Sequence, residues 1–477
     1  MEKQLNFVLK LPLKEIALRR VAVVLWSCTD ILALFQKLPF KLFPDDKCEN
    51  EWRENAESNV KDKVSKLVLP KSMLEQIMPF IRPIGSEILS WKIFHEKYLG
   101  IWRDDFDICI LKRIFWTSAG TIDYRKTAQE LVSFEMLDTV KRYKLACLYC
   151  LEDKIPTIWK ELPDRSKKCF YKGEVHLQSH EPQMDFCWAY VLQKTEFELE
   201  CAPGRLFENQ VLFCQNAFES SAVKGNQAAT EYFFQKLTSA EREDSLVRTA
   251  KAVLANRDVE TQGSLNEFPK ERLTDVLCYL LFLMTPDQLN EVFNECPFEI
   301  LRCFIDWPRQ DYLPDIANLV FSFPPETRYE SYLRFISSKI RYTNFYCSDM
   351  FQKFFPLSSD DFKKYVVDRE CESGTLFCKI LYFCPESTKI IFRNVDVEDR
   401  ARLVSSNNFF SIVDRLIMGD QWELVELCLR EATLSKEDRK ILKENYAEFL
   451  KLSDLGLFDY RDIHRKRVFE FLDKMDA

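Results

Sequence analysis

Apolar side chains recur at three- and four-residue steps along most of this chain, the period of a helix with one buried face. The clearest case lies within 212–237. There an apolar-faced segment through Ala217, Phe218 and Ala222 meets Gly225-Asn226, and a second follows through Ala229, Tyr232 and Phe233. Two short helices joined by a tight turn are predicted. The same design is visible twice more. Leu145 to Leu151 leads to a turn at Glu152-Asp153 and a helix through Ile155, Ile158 and Trp159 that ends near Leu162-Pro163. Pro156 suits the first turn of that helix, where its missing N–H costs nothing. Phe409 to Met418 leads into Gly419-Asp420, after which Trp422, Val425, Cys428 and Leu429 form another apolar stripe.

Punctuation supports the same reading. Between 273 and 400, aromatic or aliphatic runs end in a proline that opens a polar helix start, at Pro286, Pro324-Pro325, Pro356 and Pro385. Their intervals of roughly 30–40 residues fall in the range of helical repeats. Thr285 with Gln288, Thr238 with Glu241 and Ser435 with Asp438 have capping-box spacing. Upstream, 44–66 is highly charged and reads as an exposed loop entering a helix, while 73–81, 88–99 and 106–116 read as helices. Three regions result: an N-terminal helical region (1–135), helix pairs (136–258) and irregular helical repeats (259–477), with a softer, polar boundary at 258–272.

Composition narrows the class. The 477 residues include 10 glycines. Hairpins and nucleotide-binding loops depend on glycine for positive φ, so the shortage points to an all-α fold. The formal charge is −8, from 67 basic and 75 acidic residues, which argues against nucleic acid as a partner. The basic runs at 141–144, 165–168 and 461–467 read as solvated helix faces or ends. No apolar run approaches the roughly 20 residues of a membrane span, and Lys3, Lys10 and Lys14 interrupt any signal-peptide core. The 17 cysteines are scattered through apolar patterns, as at Cys214, Cys278, Cys378 and Cys428, and read as reduced, buried small hydrophobes of a cytoplasmic protein.

Little in the sequence suggests chemistry. Cys169, His176, His180 and Cys187 form a Cys2His2 set suited to zinc, with the two histidines four residues apart. The spacing matches no standard finger, so this set is carried as the alternative, a zinc-dependent or nucleic-acid-acting protein. Cys147 and Cys150 have Cys-x2-Cys spacing inside an apolar helical pattern, with no turn to make a knuckle. His95 reads as a packed or capping residue, and Asp104-Asp105 and Asp360-Asp361 as helix-start charges. Phe233, Phe282, Phe293, Phe335 and Phe392 fall in helical patterns and are expected in the core. No nucleophile elbow, phosphate loop or His-Glu-x-x-His occurs. An enzyme is not expected, and no cofactor.

The stretch from Ala217 to Leu237 resembles an ankyrin repeat: Ala217, Ala222, Gly225-Asn226, Ala229 and Tyr232-Phe233 match that family's plan of an Ala-rich helix, a glycine turn and a second helix. The Thr-Pro-Leu-His start and the glycine-rich finger are absent. Texture is also similar to that of large uncharacterised arachnid protein families, in the Ala146-to-Asp153 and Gly225-to-Ala229 phrases, a likeness that implies no activity. Together the expectation is an elongated, irregular α-solenoid of stacked helix pairs, ankyrin-like or HEAT-like. Neighbouring pairs would bury each other's apolar faces and leave a surface for a protein partner. The basic, apolar segment 465–471 is a further conceivable docking element.

Overall fold

The protein is described from a computed structural model covering residues 11–37, 52–100, 108–171, 184–193, 210–258, 267–305, 307–312, 315–316, 352, 355–368, 370–371, 374–383, 385–453 and 460–475. The fold is all-α, built of packed helix pairs; the described strands are a two-residue hairpin, Glu370–Cys371 against Gly374–Thr375. Two compact units are present: Met1–Glu299 with Asp306–Arg309, and Ile300–Ile305 with Gln310–Ala477.

All three expected pairs form. In the first unit they are Thr139–Leu148 with Ile155–Glu161, and Gln210–Val223 with Gln227–Lys236; in the second, Asn407–Met418 with Trp422–Glu431. Each pair turns the same corner. Cys150, Gly225 and Asp420 have φ of 48°, 79° and 53°. In each case the next N–H reaches back to the carbonyl five residues earlier: Leu151 to Ala146 at 2.9 Å, Asn226 to Ser221 at 2.9 Å, Gln421 to Leu416 at 2.8 Å. This is a Schellman closure, which satisfies carbonyls that the helix end would otherwise leave open. Two details differ from expectation. The left-handed residue of the third pair is Asp420, while Gly419 keeps a φ of −89°. The first turn begins at Cys150, two residues before Glu152, so the Cys-x2-Cys does contain a turn; both thiols are nonetheless buried.

After the second and third pairs the next helix starts in the same way. Leu237 and Leu434 are buried, and behind them Thr238 and Ser435 cap Ser239–Asp258 and Lys436–Ser453 with Glu241 and Asp438 reaching back. Met284 and Thr285 do the same for Pro286–Glu295, with Gln288 closing the box. A buried apolar residue before the cap fixes the angle at which the chain enters the helix.

The N-terminal half of the first unit departs furthest from the sequence reading. The stretch 73–99, expected as two helices, is one helix of 29 residues, Lys71–Leu99. Pro79 and Pro83 lie inside it, and the indole Nε1 of Trp26 donates to its Ile81 carbonyl at 2.7 Å. The indole crosses the helix at Gly85, where a Cβ would stand 2.4 Å from Trp26 Cζ2. Residues 52–65, expected within an exposed loop, form Arg53–Glu57, a π-helix, and Ser58–Ser65. Trp52, Ala56, Val60 and Val64 recur at helical steps and are buried, Trp52 6.1 Å from Trp26 and 6.4 Å from Phe35. The helix expected over 106–116 ends at Leu111; Trp116 then pairs with Ile122 around a turn containing Gly120 at φ 79°.

In the second unit, Leu376–Phe383 packs on Pro385–Asn394, and Asn407–Met418 on both Trp422–Glu431 and Lys436–Ser453. Its core is aromatic: Phe377 lies 5.4 Å from Phe392, and Phe410 lies 5.2 Å from Tyr446. The segment considered as a docking element belongs to the helix Tyr460–Lys474, whose Val468 and Leu472 are buried. That helix is part of the unit's own core. Of the phenylalanines expected inside, Phe233, Phe293 and Phe392 are buried, whereas Phe282 is 63% exposed. It follows Asp275 and Tyr279 along Arg272–Leu283, off the Val276, Leu277, Leu280 and Leu281 face. Phe335 lies outside the described residues. No described helix is long and apolar enough to cross a membrane.

Candidate functional site

Three helices of the first unit begin around one cleft of about 480 Å³: Tyr124–Val132, Gln227–Lys236 and Arg272–Leu283. The Gly225-Asn226 corner forms one wall. Gly225 is required there, because its φ is left-handed and an added Cβ would lie 3.2 Å from Phe268 Cβ. Asn226 is buried and works at both ends. Its Oδ1 accepts from Ala229 N at 3.1 Å, capping Gln227–Lys236, and its Nδ2 donates to the Leu148 carbonyl at 2.8 Å. Phe268 N donates to Lys224 O at 3.0 Å, fixing the corner from a second side.

The opposite wall is the turn 117–123. Thr117 N donates to Thr121 O at 2.9 Å, and Asp123 caps Tyr124–Val132 by accepting from Lys126 N. Arg19 holds this turn from behind. Its Nη1 donates to Ala119 O at 2.8 Å, and its guanidinium lies 3.9 Å over the Trp307 ring. An arginine this buried is stable only because Glu15 pairs with it on the same helix.

An ionic chain runs along the base. Arg272 donates from Nη2 to Glu87 Oε2 at 2.5 Å and from Nη1 to Asp275 Oδ2 at 3.0 Å, while Arg309 Nη2 reaches Asp275 Oδ1 at 3.0 Å. The Glu87 oxygen also accepts from Ile122 N at 3.1 Å, so one carboxylate ties the long helix to the 117–123 turn. Burial pushes the Glu87 carboxyl up and Arg272 opposes it. Burial also works against the charge on Arg272, but Glu87, Tyr124 and Asp275 outweigh it and hold the guanidinium protonated. The Tyr124 ring lies 4.0 Å beneath that guanidinium, and its hydroxyl is raised by burial.

Beneath the cleft, His95 Nδ1 contacts the Trp91 carbonyl at 2.7 Å and Nε2 the Tyr149 hydroxyl at 2.8 Å. A carbonyl can only accept, so Nδ1 carries the proton and Tyr149 donates to Nε2. Burial lowers the His95 pKa to about 3, and the ring is neutral. Both nitrogens are committed and the side chain is buried, so His95 packs as expected and exchanges no proton with a ligand. The cleft lining includes Thr117, Thr121 and Tyr124 but no Cys, Ser or His. What this arrangement offers is hydrogen bonding and shape.

Of the proposed zinc set, only Cys169 has a side chain among the described residues. Cys169 is exposed on Asp164–Tyr171, its Sγ 3.5 Å from the Arg165 carbonyl. His176 and His180 lie outside the described residues, and Cys187 falls on Met184–Gln193 with its side chain outside them. Among the described residues no group of three or more His, Cys, Asp or Glu could hold a metal ion.

The sequence reading named the Gly225-Asn226 corner but none of Glu87, Arg272 or Arg309. Glu87 and Arg272 are 185 positions apart, and no local periodicity links them. Arg272 sat in a stretch read as a polar boundary. A basic residue just ahead of the apolar run 273–284 was the one local signal. Comparison with protein-family models and with curated proteins gives no match.

Proposed function

We propose that the protein is a non-enzymatic scaffold that holds a protein partner inside the cell, at the cleft where its helix pairs meet. The observation that carries this reading is the cleft itself. Its walls are two turns held rigid by Asn226 and Arg19, with exposed side chains such as Gln227 at its edge. Preformed walls reduce the ordering cost of binding, and turns carried on stacked helix pairs are where helical-repeat proteins vary their contacts. The Ala-rich helix, glycine corner and second helix at 217–237 favour an ankyrin-like ancestry for this unit. Buried thiols such as Cys147, Cys278 and Cys428 favour a reducing compartment.

Affinity purification with mass spectrometry, run in parallel on the native chain and Gln227→Trp, tests the reading. Gln227 is exposed at the cleft edge, so an indole there fills the space and leaves the core alone. A partner enriched with the native chain and lost with Q227W is the expected outcome. Identical partners on both proteins, or turnover of a small molecule by the purified chain, would overturn it.

A further inference from the structure

An ion contact joins the two walls of the cleft. Arg125 stands in the first turn of Tyr124–Val132 and Glu231 in the second turn of Gln227–Lys236, and Arg125 Nη1 lies 3.8 Å from Glu231 Oε2. The two side chains are 47% and 29% exposed. The other charged residues of the lining, Asp123, Arg272, Asp275 and Arg309, are 23%, 14%, 19% and 18% exposed. Arg272, Asp275 and Arg309 therefore form the base, and Arg125 with Glu231 spans the mouth. The rings of Tyr124, Tyr149 and Phe268, which line the same cleft, are buried.

The two partners differ in freedom. Glu231 is held on its own helix, where its Oε1 accepts from Gln227 Nε2 at 2.7 Å. Arg125 makes no hydrogen bond among the described residues, and its ionic partner there is Glu231. Its own helix does not call for it, since a cation in the first turn meets the positive end of the helix dipole. A half-exposed pair at this separation contributes little stability and weakens with salt. Rotation of the Arg125 side chain into solvent separates the pair at small cost, and no helix has to move.

We propose that Arg125 and Glu231 form an ionic latch across the mouth of the cleft, which opens by rotation of Arg125 and governs entry to the space behind it. This rests on the scaffold reading above for what enters, and adds to it how entry is regulated. The closed latch keeps stray apolar segments off the aromatic lining. A partner reaches that lining only by displacing the guanidinium.

Ala228 lines the cleft and is buried, so the thiol introduced by Ala228→Cys in the full chain reports access to it. Thr121→Cys places a second reporter on the opposite wall. Alkylation by iodoacetamide, an uncharged reagent, is followed by peptide-mapping mass spectrometry in each reporter chain, alone and combined with Arg125→Gln or Glu231→Gln. Native Cys169, which is exposed, is the internal control, and matched circular-dichroism melting shows that the fold is kept. Losing a positive charge raises a nearby thiol pKa and slows alkylation, and losing a negative charge does the reverse. An opened latch instead speeds both. The expected result is labelling about two- to fivefold faster in both combined variants, the range set by a surface ion pair. A similar gain is expected in the reporter chain alone between about 10 mM and about 1 M salt, as the Debye length falls from about 30 to about 3 Å. Equal rates, or a gain in only one of the combined variants, overturn the latch and leave the scaffold reading standing. That reading fails separately, on the affinity purification of the native chain and Q227W.

Discussion

The side-chain amide of Asn226 donates to the main-chain carbonyl of Leu148 across 2.8 Å, joining the corner of one helix pair to the first helix of another. Leu148 ends Thr139–Leu148, where carbonyls lack helical partners, and Asn226 also caps the start of Gln227–Lys236. One buried side chain thus closes two helix ends.

Asn226→Ala removes both bonds and is expected to lower stability by about 2–3 kcal/mol, the sum of a lost cap and an unpaired buried carbonyl. Asn226→Asp separates the two effects. Aspartate caps as well as asparagine but sets an oxygen against the Leu148 carbonyl, so N226D should keep the cap and lose the Leu148 share. Urea unfolding of the three proteins checks this, and an N226D curve superimposing on the native one would show that the Leu148 link contributes no stability.

His95 makes the first unit sensitive to mild acid. Its native pKa is lowered to about 3 by burial, whereas the unfolded imidazole titrates near 6.5. Between those values the unfolded state binds the proton and the native state does not, so stability falls as pH drops through this window. The slope approaches about 1.4 kcal/mol per pH unit. Glu87 and Glu96, raised by burial, act in the opposite sense. The difference between native and His95→Gln chains therefore isolates the imidazole. Denaturation at about pH 7 and about pH 5, on either side of the unfolded pKa, should show a smaller loss in H95Q, and equal losses would refute the assignment.

Gly85→Ala reverses a general expectation. Within a helix, alanine is usually better than glycine by about 1 kcal/mol. Here the added Cβ would stand 2.4 Å from Trp26 Cζ2, and the indole is locked by its bond to Ile81 and by the rings of Phe35 and Trp52. Destabilisation by about 1–3 kcal/mol is expected, with a shift in tryptophan emission. A stabilised G85A would mean that the indole can move aside.

In the second unit, Leu472 is fully buried, and Phe471 meets Trp422 edge-on at 6.0 Å, with Arg467 4.6 Å over the Trp422 ring. Leu472→Ala should cost about 2–5 kcal/mol and Arg467→Ala under about 1 kcal/mol. Thermal unfolding ranks them. If L472A were neutral, the helix Tyr460–Lys474 would be an appendage and its earlier reading as a docking element would revive.

The helix pairs were legible because they are local. A period of three or four residues, a glycine or aspartate at the corner, and Thr238, Thr285 and Ser435 ahead of their acidic or amide partners lie within a few positions of one another. Residues 52–65 were misread because charge masks the buried series Trp52, Ala56, Val60 and Val64. The long helix was split because Pro79, Pro83 and Gly85 look like breaks until Trp26 is known to need that gap. Phe282 shows the converse, an apolar residue that joins the pattern without joining the core. The cleft was half legible: Gly225-Asn226 stood out, whereas Glu87, Arg272 and Arg309 meet only through tertiary structure.

Cys150, Gly225 and Asp420 make the same left-handed corner with three different side chains, at three different steric costs. The unit that repeats at these three corners is therefore a set of dihedral angles and two hydrogen bonds, carried by a different residue each time. Kinship among such chains would be measured better by aligning their backbone turns than by aligning their letters. Among the described residues, only one of these three corners places a glycine at the left-handed position.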